Sequence, residues 1–313
     1  MVYNLSDKQI SEGKDLYKEG YNYYYISQYY FEKYGINIHP ESVRYYITRK
    51  DRPKITIQEK LSNDGIEKVL VLSDLHIPYH RGDIVDIVKK HKDEISTLVI
   101  GGDLIDCYCI SSFGSLDPMP LVDEMAKTHN LLKRIQDITP NVKRYMVLGN
   151  HEERYKKYLE KNKSELNKLH SSNILKEIVC GFEKHDRQNG TVVKYEKLDY
   201  HVEDSWFMKL NDTIICHPIS FSRVGAKTAQ MALDYFVERG QYDFSNILVA
   251  HTHKISSVVK YGKYAYEIGC LCLPQSYAES GKLTYEKLQN GYFLATYKNG
   301  IFDPNESRQY YLW

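Results

Sequence analysis

Apolar positions along this 313-residue chain repeat in two different ways, and the change of period divides it. Through residues 5–50 they follow helical spacing. Ile10, Leu16 and Tyr17 fit one amphipathic helix, which Gly20 breaks. Ile26, Tyr29, Tyr30 and Tyr34 fit a second, ending at Gly35, and Val43, Tyr46 and Ile47 continue a third. The third opens at His39-Pro40-Glu41-Ser42, where proline suits a first helical turn because an N–H there would have no helical partner. Asp51-Arg52-Pro53-Lys54 stops that helix and Asn63-Asp64-Gly65 signals a turn, so residues 51–67 read as a linker.

Beyond the linker, apolar runs of strand length alternate with amphipathic stretches. Val69-Leu70-Val71-Leu72, Leu98-Val99-Ile100 and Tyr145-Met146-Val147-Leu148 read as buried strands, with helices near 83–93 and 121–138 between them. This βαβαβ order requires helices packed on a largely parallel sheet. Five more strands follow, Trp206 to Leu210, Thr213 to Cys216, Ile247 to Ala250, Tyr264 to Ile268 and Tyr292 to Thr296. The count predicts an α/β fold, a two-sheet α/β sandwich over residues 68–313, preceded by a small all-α trihelical domain over 1–50. Residues 153–200 break the alternation. Arg154 to Leu169 is a charged amphipathic run and a polar stretch follows, which predicts a helical insertion near 153–200, either a cap or lid or a plain solvated helix pair.

Composition narrows the class without naming it. With 42% hydrophobic and 27% charged residues this is an ordinary soluble globular chain, and a net charge of +1 gives no whole-molecule attraction to nucleic acid or membrane. No apolar run approaches the roughly 18–20 residues that span a bilayer. Met1 to Lys14 lacks the apolar core of a secretory signal, so the expectation is a cytoplasmic protein with no membrane partner. The cysteines Cys107, Cys109, Cys180, Cys216, Cys270 and Cys272 form no C-x-x-C pair and read as buried, reduced thiols rather than a zinc ribbon. Abundant Tyr, Lys, Ile and Asn point to an AT-rich coding sequence, that of a low-GC bacterium or its phage.

The chemistry lies at the strand ends. Asp74-Leu75-His76, Gly102-Asp103, Gly149-Asn150-His151-Glu152, Cys216-His217 and His251-Thr252-His253 each follow an apolar run, the place where open α/β sheets bind ligands. In an extended segment residues i and i+2 point the same way, so Asp74 with His76, and His251 with His253, can each reach one cation. The Asp103 carboxylate has two oxygens and can bridge two cations, Asn150 offers a neutral carbonyl oxygen, and His151 points elsewhere, free to act on substrate.

Taken in order, D-x-H, G-D, G-N-H-[DE], H and G-H-x-H, this set resembles the calcineurin-like metallophosphoesterase superfamily over about residues 66–300. The resemblance implies a hydrolase with two divalent metal ions. Asp74, His76, Asp103 and His253 would hold one, and Asp103, Asn150, His217 and His251 the other, with Asp103 bridging. Mixed nitrogen and oxygen ligation suits Mn, Fe or Zn better than Mg or Ca. The implied reaction is attack of a metal-bound hydroxide on phosphorus, with His151 assisting at the phosphoryl oxygen or the leaving group. Ala250 stands where the family usually has Gly, a small change. Arg154, three residues after His151, is the candidate substrate contact, and His80 and Arg81 also follow a motif closely. His39, His91, His129, His170, His185 and His201 read as structural.

The helical module is similar to the helix-turn-helix domains of resolvases and transposases, on Glu19-Gly20-Tyr21-Asn22, Ile26 and Ser42-Val43-Arg44. That resemblance places the third helix in the major groove, with Glu41, Arg44, Tyr45 and Thr48 at the bases and Arg49, Lys50, Arg52 and Lys54 nearer the phosphates. Arg44, Arg49 and Lys50 are the main DNA-binding candidates. The alternative is a trihelical packing or oligomerisation module. The leading expectation is a phosphodiesterase or nuclease acting on DNA. The second is a phosphatase or small-molecule (nucleotide) phosphodiesterase whose N-terminal helices make a homo-oligomer. The third is a non-enzymatic DNA-binding regulator, which the intact ligand set disfavours.

Overall fold

The computed structural model describes residues 5–48, 65–112, 118–162, 171–186, 189–275 and 288–313. Arg49, Lys50, Arg52, Lys54, His170 and nearly all of the linker lie outside these residues, as do the side chains of Glu41, Tyr45 and Thr48. The chain divides into two compact units, Met1–Ile55 with Tyr235–Tyr242, and Thr56–Asp234 with Asp243–Trp313.

In the first unit, α1 (Asp7–Lys18) starts at a reciprocal cap. The Ser6 side chain accepts the Gln9 N–H while the Gln9 side chain accepts the Ser6 N–H at 2.8 Å. Asn22 caps α2 (Tyr23–Tyr34), which ends at Gly35 with φ 66°, a left-handed conformation that costs glycine little. Helix α3 (Pro40–Thr48) follows. Leu5, Ile26, Tyr30, Ile38, Val43 and Ile47 form the core between them. The Tyr30 hydroxyl, buried with them, donates to the Gln9 carbonyl at 2.7 Å.

The second unit opens with β1 (Ile66–Leu72), α4 (Ile84–His91), β2 (Thr97–Ile100), α5 (Leu121–Ile138) and β3 (Lys143–Met146). The three strands are parallel neighbours, as the βαβαβ reading requires. Leu70, Leu72, Leu98 and Ile100 pack in one core with Ile84, Val88, Leu131, Leu132 and Ile135 of the two helices. Helices α6 (Glu152–Asn162) and α7 (Ile174–Cys180) precede the antiparallel pair β4 (Phe182–Asp186) and β5 (Thr191–Tyr195). The segment near 153–200 is therefore helix, helix and hairpin rather than helical throughout. Asn189-Gly190, a strong hairpin signal, lies in the connection.

Strands β6 (His201–Val202), β7 (Phe207–Leu210) and β8 (Thr213–Cys216) lead to α8 (Lys227–Arg239), β9 (Asn246–Val249), β10 (Ile255–Lys260) and β11 (Lys263–Ile268). The chain closes with β12 (Gly291–Lys298), β13 (Ile301–Phe302) and β14 (Arg308–Tyr311). One sheet has the order β13-β12-β1-β2-β3-β6, with β14 also on β12, and the other has the order β10-β11-β9-β8-β7. They face each other: the Tyr297 hydroxyl on β12 donates to Thr213 Oγ1 on β8 at 2.6 Å, and the rings of Tyr266 and Phe293 are 4.8 Å apart. This is the two-sheet α/β sandwich. The ends of β1, β2, β3, β8 and β9 carry the motifs.

Candidate metal centre

The loops after β1 and β2 continue the parallel ladder beyond the strands. The Asp74 N–H donates to the Gly102 carbonyl (3.1 Å), His76 to Asp103 (2.9 Å) and Ile77 to Leu104 (2.9 Å). The backbone nevertheless leaves the extended conformation. Asp74, His76, Asp103, His251 and His253 all have positive φ, from 48° to 78°. This corrects the sequence-based picture of Asp74 with His76, and His251 with His253, on one side of an extended segment: left-handed residues make the turn instead. Each such non-glycine residue costs on the order of 1 kcal/mol. Hydrogen bonds hold the loops there, among them His251 N–H to both Asp74 carboxylate oxygens at 3.1 Å. Gly149 has to be glycine, because a Cβ at that position would overlap the Asp103 backbone nitrogen and carboxylate.

The side chains form two clusters that share Asp103. On one side His253 Nε2 lies 3.2 Å from Asp74 Oδ1 and 3.2 Å from His76 Nε2, which is itself 3.7 Å from Asp103 Oδ2. On the other, His217 Nε2 lies 3.2 Å from Asp103 Oδ2 and 3.2 Å from Asn150 Oδ1. Ligand atoms of Asp103, His217 and His251 fall within 4.8 Å of one another. Among the described residues His251 Nε2 is buried without a hydrogen-bond partner, a cost of about 1–3 kcal/mol that a cation on its lone pair would remove. His217 Nδ1 faces the Gly101 carbonyl and His76 Nδ1 faces Asp106 Oδ1, both at 3.0 Å, so each ring turns its Nε2 toward the cluster. The donor set fits divalent cations.

The charges match. Burial would push both carboxyls up, but His217 and His253 hold Asp74 at about 2, and His217 and His151 hold Asp103 well below the usual carboxylate range. Burial opposes charge on the imidazoles too. Asp103 and Asp74 still raise His217 to about 10, and Asp74 raises His253 to about 9. His251 falls to about 4 through burial and the neighbouring His217, and burial with His151 lowers His76. Two buried anions are thus balanced by protons on two imidazoles, protons that a bound cation would displace.

His151 sits against the first cluster, its Nε2 3.9 Å from Asp103 Oδ2. Its Nδ1 faces the Asp106 carbonyl at 2.9 Å and Asp106 Oδ1 at 3.0 Å. Burial opposes its charged form, but Asp103 and Asp106 outweigh burial and hold it above the ordinary histidine value. Arg154 comes to the same place, donating through Nη1 to the Asp106 carbonyl at 2.9 Å, with Nη2 3.0 Å from His151 Nε2. Arg81 is instead tied to Asp83 and Asn290. Arg44 is exposed on α3.

Sequence reasoning assigned no role to three neighbours. Asp106 is fully buried and its Oδ1 serves both His76 and His151; the signal was a second carboxylate three residues after Asp103. Glu152 accepts the N–H groups of Asp103, Leu104, Ile105 and Gly149 at 2.7 to 3.2 Å, tying two motif loops together. Burial and Asp103 push its carboxyl up to about 7. The third is Cys272, whose sulfur groups with His76 and His253.

A mixed-sheet α/β sandwich with overlapping Asp/His clusters at the ends of its parallel strands fits a metal-dependent phosphoesterase. The family of calcineurin-like phosphoesterases matches residues 67–255, and the chain belongs to that family. It is a hydrolase, and its cofactor is a pair of divalent metal ions. Among solved structures, the chain is similar to vacuolar protein sorting 29 from Cryptosporidium parvum (12% identity, 79% of this chain and 98% of that one, TM-score 0.38). A novel archaeal phosphodiesterase is similar at 16% identity, over 78% of this chain and 99% of that one, with TM-score 0.37. The zinc complex of the Entamoeba histolytica sorting protein is similar at 14% identity, over 78% and 98%, with TM-score 0.36. Comparison with curated proteins finds no match. Among the described residues no helix is long and apolar enough to cross a membrane.

Proposed function

We propose that the chain is a phosphodiesterase acting on DNA. In this reading Asp74, His76, Asp103 and His253 would hold one cation, and Asp103, Asn150, His217 and His251 would hold the second, Asp103 being common to both sets. Bound there, divalent cations would supply Lewis acidity and make water more acidic near neutral pH. The work of the side chains is positional and protonic. Asp106 orients His151 through Nδ1, and Nε2, which accepts from Arg154 in this geometry, would carry a proton to the leaving oxygen once a phosphate oxygen takes the Arg154 donor. Arg154, 3.0 Å from that nitrogen, meets a phosphate oxygen arriving at the same place.

The observation that carries the substrate class is an exposed aromatic on the loop after β8. Phe221 is 57% exposed and its ring stands edge-on to His251, 5.1 Å between centroids. Ile219 and Val224 are exposed on the same loop. A π face beside a phosphoryl site supports stacking of a base, worth about 1–3 kcal/mol per base. The trihelical module, with Arg44 exposed on α3 and Arg49 and Lys50 following it in sequence, supports DNA over a free nucleotide. Joined through residues 51–67, it would raise the effective concentration of DNA at the enzyme.

The test is Mn-supplemented hydrolysis of bis-p-nitrophenyl phosphate beside p-nitrophenyl phosphate, with labelled single- and double-stranded DNA in parallel. The expected result is diester preference and DNA cleavage that His151→Ala abolishes while metal content is kept. Monoester preference with intact DNA would overturn the reading in favour of a phosphatase whose N-terminal helices serve oligomerisation.

A further inference from the structure

We propose that Cys272 is a protein ligand of the first metal position, giving it a sulfur donor that the second position lacks. This rests on the assignment of that position to Asp74, His76, Asp103 and His253. The Cys272 sulfur and the ligand nitrogens of His76 and His253 lie within 4.8 Å of one another. Cys272 is fully buried and His76 is 2% exposed, so the sulfur faces the cluster rather than the surface.

The backbone fixes it there. Leu271 N–H donates to the Ser73 and Asp74 carbonyls, both at 3.1 Å, and Leu273 N–H donates to the Tyr79 carbonyl at 2.7 Å. Cys272 pairs with His80 in an antiparallel bridge. The segment bearing the thiol is thus bonded directly to the loop bearing Asp74 and His76, and the three side chains keep their spacing. A second observation concerns the sulfur itself. Gln275, buried beside it, donates Nε2–H to Cys272 Sγ at 3.8 Å, a contact in which sulfur is the acceptor. An amide donor at that distance is compatible with a ligating sulfur, and the selection of Cys272 rests on its grouping with His76 and His253. Cys270, two residues earlier, is hydrogen-bonded to Cys272 and takes its own amide contact, Asn290 Nδ2 at 3.4 Å, so it is the neighbouring thiol that the variants have to separate from Cys272.

Ligation means that the Cys272 S–H proton leaves to solvent as the metal–sulfur bond forms. The chemical consequence is selectivity. Thiolate favours Zn, Fe or Co over Mg, Ca and Mn, whereas the second position offers only oxygen and imidazole donors. The two positions would then sort different metals from a mixed supply.

Cobalt(II) titration of the full chain, followed by near-ultraviolet and visible absorption, tests this. The expected result is a thiolate-to-cobalt charge-transfer band that is lost in Cys272→Ser and kept in Cys270→Ser, with a zinc-over-manganese preference at least about tenfold weaker in Cys272→Ser. Cobalt bound, as its visible bands report, without a charge-transfer band in the wild-type protein overturns the proposal. That outcome needs no variant to fold. A band surviving in Cys272→Ser overturns it as well. Failure to bind cobalt at all would instead remove the metal-site assignment beneath it.

Discussion

Asp106→Asn keeps the shape of a side chain on which two histidines converge and removes its charge. Asp106 is fully buried, and its Oδ1 lies 3.0 Å from the Nδ1 of both His76 and His151. Burial opposes its ionisation, but the two imidazoles keep it far below the ordinary carboxylate range, so the charged form is the one that orients them. Charge-assisted hydrogen bonds are worth about 1.5–3 kcal/mol net and neutral ones about 0.5–1.5. Asparagine that keeps its oxygen inward therefore loses about 1–1.5 kcal/mol per ring. The two losses differ in kind. His151 Nδ1 also faces the Asp106 backbone carbonyl at 2.9 Å and retains a partner. Among the described residues His76 Nδ1 has no such second partner, so its share of about 1–1.5 kcal/mol should appear as metal binding weakened about 5- to 13-fold. At saturating metal the remaining loss, about 1–1.5 kcal/mol, lowers kcat by about 5- to 13-fold. The assay is bis-p-nitrophenyl phosphate hydrolysis against Mn concentration, paired with calorimetric metal titration. Metal dependence and kcat both within twofold of wild type would refute the orienting role.

Two further perturbations address charge. Chelation should lower the melting temperature, since each position held at a hundred times its Kd contributes about 2.7 kcal/mol. Reloading at pH 7 should release at least about two protons per chain, because His217 and His253 hold theirs to about 10 and 9 without metal. Calorimetry in buffers of different ionisation enthalpy counts them, and no release would refute the charge pattern. Glu124 is buried, accepts the Cys107 N–H at 2.8 Å, and is pushed by burial from 4.5 up to about 8. The folded state therefore binds the extra proton between those values, and stability falls as pH rises through that window. Glu124→Gln keeps an acceptor and should flatten the slope, gaining on the order of 2 kcal/mol at pH 8. Thermal melts from pH 5 to 8.5 with an unchanged slope would contradict this.

The elements read most directly from sequence are those whose signals are local. Apolar runs located β1, β2 and β8, and the period through 121–138 located α5 residue for residue. The three N-terminal helices, with Gly35 closing the second, follow from spacing and a single glycine. Hairpin β4–β5 escaped because a charged helical run precedes it and its strands are half exposed, leaving little apolar alternation to see. Helix α8 escaped although β8 and β9, as parallel neighbours, require a crossover between them.

The motifs were legible for the same local reason, since each follows an apolar strand and its residue types have few other uses in that order. Sequence alone therefore determined the fold class, the order of the strands that carry the site, and the short list of Asp, Asn and His side chains. Tertiary structure decided how they meet. Left-handed backbone at Asp74, His76, Asp103, His251 and His253 turns the loops inward, and that conformation is held by hydrogen bonds between loops far apart in the chain. The partners of Asp106, Glu152 and Cys272 are decided only by what stands opposite them across those loops. A carboxylate or thiol carries no mark of its through-space partner, and here the partners were set by the packing of two sheets.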